Sequence, residues 1–229
     1  MENLKNKNAK NVLVILYICV SLLAFIIMLA ITPLREVFKK LSSSSPYIMG
    51  FIKFALLATA GELIAEIIKN KTIVVPCKIV WRFLIWGVIG VWITFMMKVF
   101  STAVSTMMAT GLLVGKDSTF LKAFFTSLIM NTTFGPTFMA VHKCSDKFLE
   151  LRAKKENSSL LSVITGIDWH KFVSFTIFKT VPLFWVPMHT VTFLLPQEYQ
   201  VMMAAGLSVA LGVILSFGNK KKKSKEINN

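Results

Sequence analysis

The stretch "VLVILYICVSLLAFIIMLAI", residues 12 to 31, holds no charged side chain in twenty positions. About 20 consecutive apolar residues is the length a helix needs to cross a hydrocarbon core about 30 Å thick. The run is too long, and too weakly followed by a cleavage site, for a signal peptide, and it reads as an anchor helix. Outward from it lie five more apolar runs, at 47 to 68, 79 to 114, 120 to 141, 172 to 195 and 201 to 217. The fold expected is therefore all-α, a polytopic transmembrane helix bundle of about six spans. Residues 1–45 form an N-terminal anchor helix and loop, 46–217 the helical membrane domain, and 218–229 a basic tail.

Composition agrees. Hydrophobic residues make up 55% of 229 positions, with 19 Phe and 12 Met, and the mean hydropathy is +0.65. Charged residues are 16%, against roughly 25% in soluble domains. The 26 Lys and Arg against 11 Asp and Glu invite a nucleic-acid reading. The cations lie between hydrophobic blocks, however, and are not interleaved with aromatics on one face, so nucleic acid is excluded as a partner and membrane lipid takes its place. The run at 79 to 114 is some 36 residues long, roughly 54 Å as a helix, more than one span can use. A crossing from about 83 to 104 is expected, followed by a short in-plane segment ending near Gly111 and Gly115.

With six spans, both termini share a side. On that side fall three cations before the first span, four from Lys69 to Arg82, six from Lys143 to Lys171 and five in the tail "KKKKSK". The other side has five, Arg35, Lys39, Lys40, Lys116 and Lys122. The excess places both termini in the cytoplasm, and the tail lysines suit anionic head groups. Lacking an Arg-rich presequence, the chain suits a bacterial plasma membrane better than a mitochondrial inner or peroxisomal one.

Cys19 lies in the first span, while Cys77 and Cys144 fall on the inner side; an odd, unclustered set points to free thiols. His142, His170 and His189 are scattered. No metal centre, cofactor motif or nucleophile motif is present, and neither metal nor cofactor is expected.

The informative residues are the polar ones at membrane depth, where an ionisable group costs at least about 2.5–3.5 kcal/mol and faces a partner or water. Glu62 and Glu66 stand one turn apart on the second span, behind Gly61. Lys98 lies in the third span, Asn131 in the fourth, and Lys179 and His189 in the fifth. These six are the candidates to line a pore or cavity; Lys53 and Glu66 lie near enough to a span end to snorkel. Pro136, Pro182 and Pro187 lack the N–H that would bond the carbonyls of Thr132, Phe178 and Leu183. Lipid cannot satisfy such groups, so these candidate kinks are expected at protein contacts or a hydrated crevice. Ser101, Ser105 and Ala109 repeat every fourth position, a helix-packing stripe compatible with a homo-oligomer. Asp168 and Trp169 are expected to open the fifth span as N-cap and interfacial anchor.

Several of these residues carry a resemblance. "AGELIAE" offers Gly61, Glu62 and Glu66; "LKAFFTSLIMNTTFGP" offers Leu121, Lys122, Asn131, Phe134 and Pro136. The C-terminal run offers Trp185, His189, Thr192, Phe193, Pro196, Tyr199, Gln200, Leu215 and Ser216 in order. From about 50 to 217 the chain resembles the Mpv-seventeen / peroxisomal-membrane-protein-twenty-two family of small multi-pass membrane proteins. It departs from that family in lacking a Gly-Pro and a Trp-Tyr pair between Gly87 and Lys98, and in carrying an extra N-terminal helix. His189 and Gln200 replace the family's Gln and Arg. The resemblance implies a pore or carrier for small hydrophilic solutes. A membrane scaffold or assembly protein is the alternative, its polar residues pairing across helices. An intramembrane enzyme would need Glu62 with His142 or His189, on different spans and without a motif, so no enzymatic activity is expected.

Overall fold

A computed structural model describes residues 2–73, 79–207 and 209–211. Cys77, Leu215, Ser216 and the basic tail lie outside the described residues. Helix accounts for 88% of the described residues, and no strand occurs among them. The helices are α1 (Glu2–Ala30), α2 (Thr32–Ser44), α3 (Pro46–Asn70), α4 (Ile79–Ala109), α5 (Thr119–Lys154), α6 (Leu160–Thr165), α7 (Trp169–Lys171) and α8 (Val186–Leu194). A π-helical stretch, Phe172–Trp185, joins α7 to α8, so helical winding is continuous over Trp169–Leu194. Helix resumes over 197–207 and 209–211.

Among the described residues, four helices are long and apolar enough to cross a membrane: Asn11–Ala30, Pro46–Ile68, Ile79–Ala109 and Trp169–Leu194. The run at 120 to 141 is helical but falls short, because Thr126, Ser127, Asn131, Thr132, Thr133 and Pro136 dilute it. The run at 201 to 217 is only partly described.

Two expectations are corrected. The apolar run from 79 is one α-helix of 31 residues, about 46 Å long, unbroken at the expected division near 104. It ends in a turn at Gly111 (φ 80°) and Gly115 (φ 82°), left-handed positions that glycine occupies without strain. The segment taken for a loop before residue 46 is the 13-residue helix α2. Its Leu34, Val37, Phe38 and Leu41 fall at i, i+3, i+4 and i+7, a helical pattern that low hydropathy disguised.

The chain divides into two compact units, one taking the described residues up to Thr94 and from Val201 on, the other Phe95–Gln200. In the first unit α3 is central, with 56% of its apolar window buried against 17% for α1. The reason is in "FALLATAGEL": Ala55, Ala58, Ala60 and Gly61 are small enough for neighbours to approach closely, while Phe54 and Leu63 fill the gaps. A Cβ at Gly61 would stand 2.6 Å from a Val209 methyl. Tyr17 of α1 donates its hydroxyl to the carbonyls of Ala55 and Leu56 at 3.2 and 3.0 Å. In the second unit α5 packs along α8, and Leu151, Val163 and Ile167 close a small core where α6 folds back on the end of α5.

Candidate functional site

In the first unit, Glu62 accepts from the Arg82 guanidinium and from the Trp86 indole N–H, the latter at 3.1 Å. Arg82 and Trp86 are one turn apart on α4, so both reach the same carboxylate. Only 14% of the Arg82 side chain and 19% of Glu62 is exposed. Arg82 reads in sequence as a flanking loop cation; a cation and an indole one turn apart at the head of an apolar run were the available signal. Glu66 is half-buried and accepts from Asn70 at 2.8 Å, one turn on in the same helix.

Lys53, expected to snorkel, is instead 2% exposed. Its ammonium donates to Ser42 Oγ at 2.8 Å and lies 4.3 Å from the Phe38 ring centroid. A hydroxyl and a π-face thus replace part of its water shell.

In the second unit the structure brings Asn131 and His189 together. Asn131, 3% exposed, meets His189 Nδ1 through its Oδ1 at 3.0 Å. Its amide donates to the carbonyl and the hydroxyl of Ser127 at 2.8 and 3.2 Å. Ser127 Oγ in turn donates to the Val186 carbonyl at 2.7 Å, which also accepts from Thr190 Oγ1 at 2.7 Å. Trp185 packs its ring 5.2 Å from that of His189. Sequence reading found both ends of this network and missed Ser127, whose only signal is its place one turn before Asn131.

Lys98 and Lys179 are exposed. Pro136 lies inside α5, Pro182 inside the π stretch, and Pro187 just after that stretch passes into α8. Around Pro182 the winding is wider: Thr180 Oγ1 donates to Phe175 O at 3.1 Å, and the Val186 N–H bonds Val181 O, both five residues back. Pro136 and Pro182 line one recess of about 360 Å³ with Leu128, Thr132, Phe178 and Val181 among its walls. The recess is apolar, since Thr132 turns its hydroxyl back to Leu128 O at 2.8 Å. None of the six pore candidates lines it.

Ser101 and Ser105 are half-buried and Ala109 exposed; the Ser105 hydroxyl bonds back to Ser101 O at 2.8 Å. Asp168 caps Trp169–Leu194 by accepting from the Lys171 N–H at 2.8 Å, as the sequence suggested, and the Trp169 indole donates to Ile164 O at 2.9 Å. Pro196 is exposed; Phe193 and Tyr199 are half-buried. Among the described residues no three His, Cys, Asp or Glu side chains are grouped to hold a metal ion.

The network predicts an order of effects. Asn131→Leu strips partners from both His189 and Ser127 and is expected to lower stability by about 1 kcal/mol. Ser127→Ala should cost less, since Thr190 still serves the Val186 carbonyl. Thermal melts in detergent check this; a larger loss in Ser127→Ala would show that Asn131 is not the hub.

Comparison with protein-family models, with curated proteins and with solved structures finds no match to this chain.

Proposed function

We propose that the chain is a polytopic membrane protein with a scaffolding or assembly role, its buried polar groups serving as locks between helices. The observation that supports this is the pairing of Glu62 with Arg82 and Trp86, and of Asn131 with Ser127 and His189. Groups suited to a solute path engage one another instead. This reading keeps about six spans with both termini in the cytoplasm, on the distribution of Lys and Arg, in a bacterial plasma membrane.

A second reading, a channel or carrier for small hydrophilic solutes, is favoured by Lys179. It is the eleventh residue of the apolar helix Trp169–Leu194 and is exposed. A cation there needs water, a head group or an acidic partner. The resemblance to the Mpv-seventeen family points the same way.

Reconstitution separates the two. Liposomes carrying the folded protein and trapped neutral and charged solutes of graded size are expected to stay tight. Size-limited release that changes in Lys179→Met would replace the scaffold reading with a pore and put Lys179 on its path.

A further inference from the structure

We propose that α2 lies in the membrane surface and binds anionic phospholipid, its Leu34, Val37 and Leu41 seated at the top of the acyl chains and its cations on the phosphates. The inference rests on the reading of α1 and α3 as membrane spans. Both adjoin α2 through a single residue, Ile31 on one side and Ser45 on the other. Successive spans joined this closely return the chain to the same membrane face, which brings both ends of α2 to that face. At 13 residues, about 20 Å, α2 is too short and too polar to cross on its own.

Its rotation is fixed by α3. Phe38 and Ser42 are buried, and Lys53 of α3 holds both, through the hydroxyl at 2.8 Å and the ring at 4.3 Å. With Phe38 turned to α3, the neighbouring stripe of Leu34, Val37 and Leu41 is left 43%, 55% and 47% exposed. Three large aliphatic side chains on one stripe call for an apolar cover, and acyl chains lie beside a helix at this boundary. The far side carries Arg35, Lys39 and Lys40 against one acid, Glu36, which pairs with Lys39 at 2.9 Å. Three cations to one carboxylate, level with the head groups, match anionic lipid better than a zwitterionic surface. The helix therefore has the two-sided build of an interfacial segment, with the Lys53 clamp setting which side meets the bilayer.

Two single-cysteine versions of the full chain test this. One retains only Cys19, in the α1 span; the other has the native cysteines replaced by Ser and carries Val37→Cys. Each is labelled with an environment-sensitive dye and reconstituted in equal phosphatidylcholine and phosphatidylglycerol. The Cys19 dye is expected to be quenched best by a nitroxide near the acyl terminus, and the Val37→Cys dye by one just below the head group. At equal mole fraction, head-group-labelled phosphatidylglycerol should quench the Val37→Cys dye at least about twofold more than labelled phosphatidylcholine. Arg35→Gln/Lys39→Gln/Lys40→Gln should erase that preference and leave Cys19 quenching unchanged.

An unquenched Cys19 dye would overturn the spanning reading itself. With Cys19 quenched, a Val37→Cys dye open to aqueous iodide and blind to lipid nitroxides would overturn the α2 proposal alone. So would equal quenching by the two lipids, or shielding from both lipid and water together with cross-linked dimers, which would assign the stripe to a second copy.

Discussion

Gly90→Leu is expected to destroy the crossing of α3 and α4. A Cβ at Gly90 would overlap the Gly50 carbonyl oxygen and stand 2.6 Å from Phe54 Cβ. A Cβ at Gly50 would in turn stand 2.9 Å from the Gly90 carbonyl. These contacts are backbone or β-carbon, so no rotamer change relieves them and the helices must separate. The Gly90 carbonyl also accepts from Thr94 Oγ1 at 2.7 Å, a bond that ties the crossing to the next turn of α4. Overpacking at such a point costs about 3 kcal/mol or more. In a protein of ordinary marginal stability that is enough to lose a monodisperse peak in detergent. Gly87→Ala is the control: the three atoms nearest its Cβ all belong to the Phe51 ring, a side chain that can swing away. It should lower the melting temperature slightly and leave the elution profile intact. If Gly90→Leu elutes and melts as the unsubstituted chain does, the close α3–α4 approach is not present in solution.

Hydropathy made the helical class and the long apolar helices α1, α3, α4 and Trp169–Leu194 legible, because a twenty-residue apolar run has one low-energy arrangement in lipid. It did not show where helices stop or how they pair. At the end of α4, apolar character continues through Leu112 to Val114, and the break comes from backbone geometry at Gly111. At Pro182 the sequence announces a missing donor, yet the answer is a change of winding over fourteen residues, which no local pattern encodes. The polar candidates were found individually, since charge inside an apolar run is conspicuous. Their partners were harder. Ser127 is an ordinary small residue, and Arg82 sits where a flanking cation is commonplace. Lys53 misled because distance from a span end says nothing about a cover such as α2, whose own pattern is weak in hydropathy. Pairing is a property of two segments at once, and one sequence read along its length displays only one of them.

The Glu62–Arg82 pair is the sharpest place to test whether these polar groups are locks. Arg82→Met takes the guanidinium from Glu62, which keeps the Trp86 indole N–H, in a setting where both side chains are less than one-fifth exposed. Removing one partner of a buried pair costs about 3–5 kcal/mol, and the low end applies here, because Glu62 lies within two turns of the end of its span. Glu62→Leu should be milder, since a guanidinium on a long stem so near the head of α4 can reach the surface. The double variant Glu62→Leu/Arg82→Met removes both charges and should recover most of what Arg82→Met loses. The order expected in chemical-denaturation or thermal melts is therefore Arg82→Met lowest, then Glu62→Leu, with the double variant near the unsubstituted protein. A lock predicts that order because its cost arises from breaking one ion pair, not from lost packing. If the losses add instead, the two residues act independently. Glu62 then becomes available for solute or proton contact, and the channel reading gains what the scaffold reading loses.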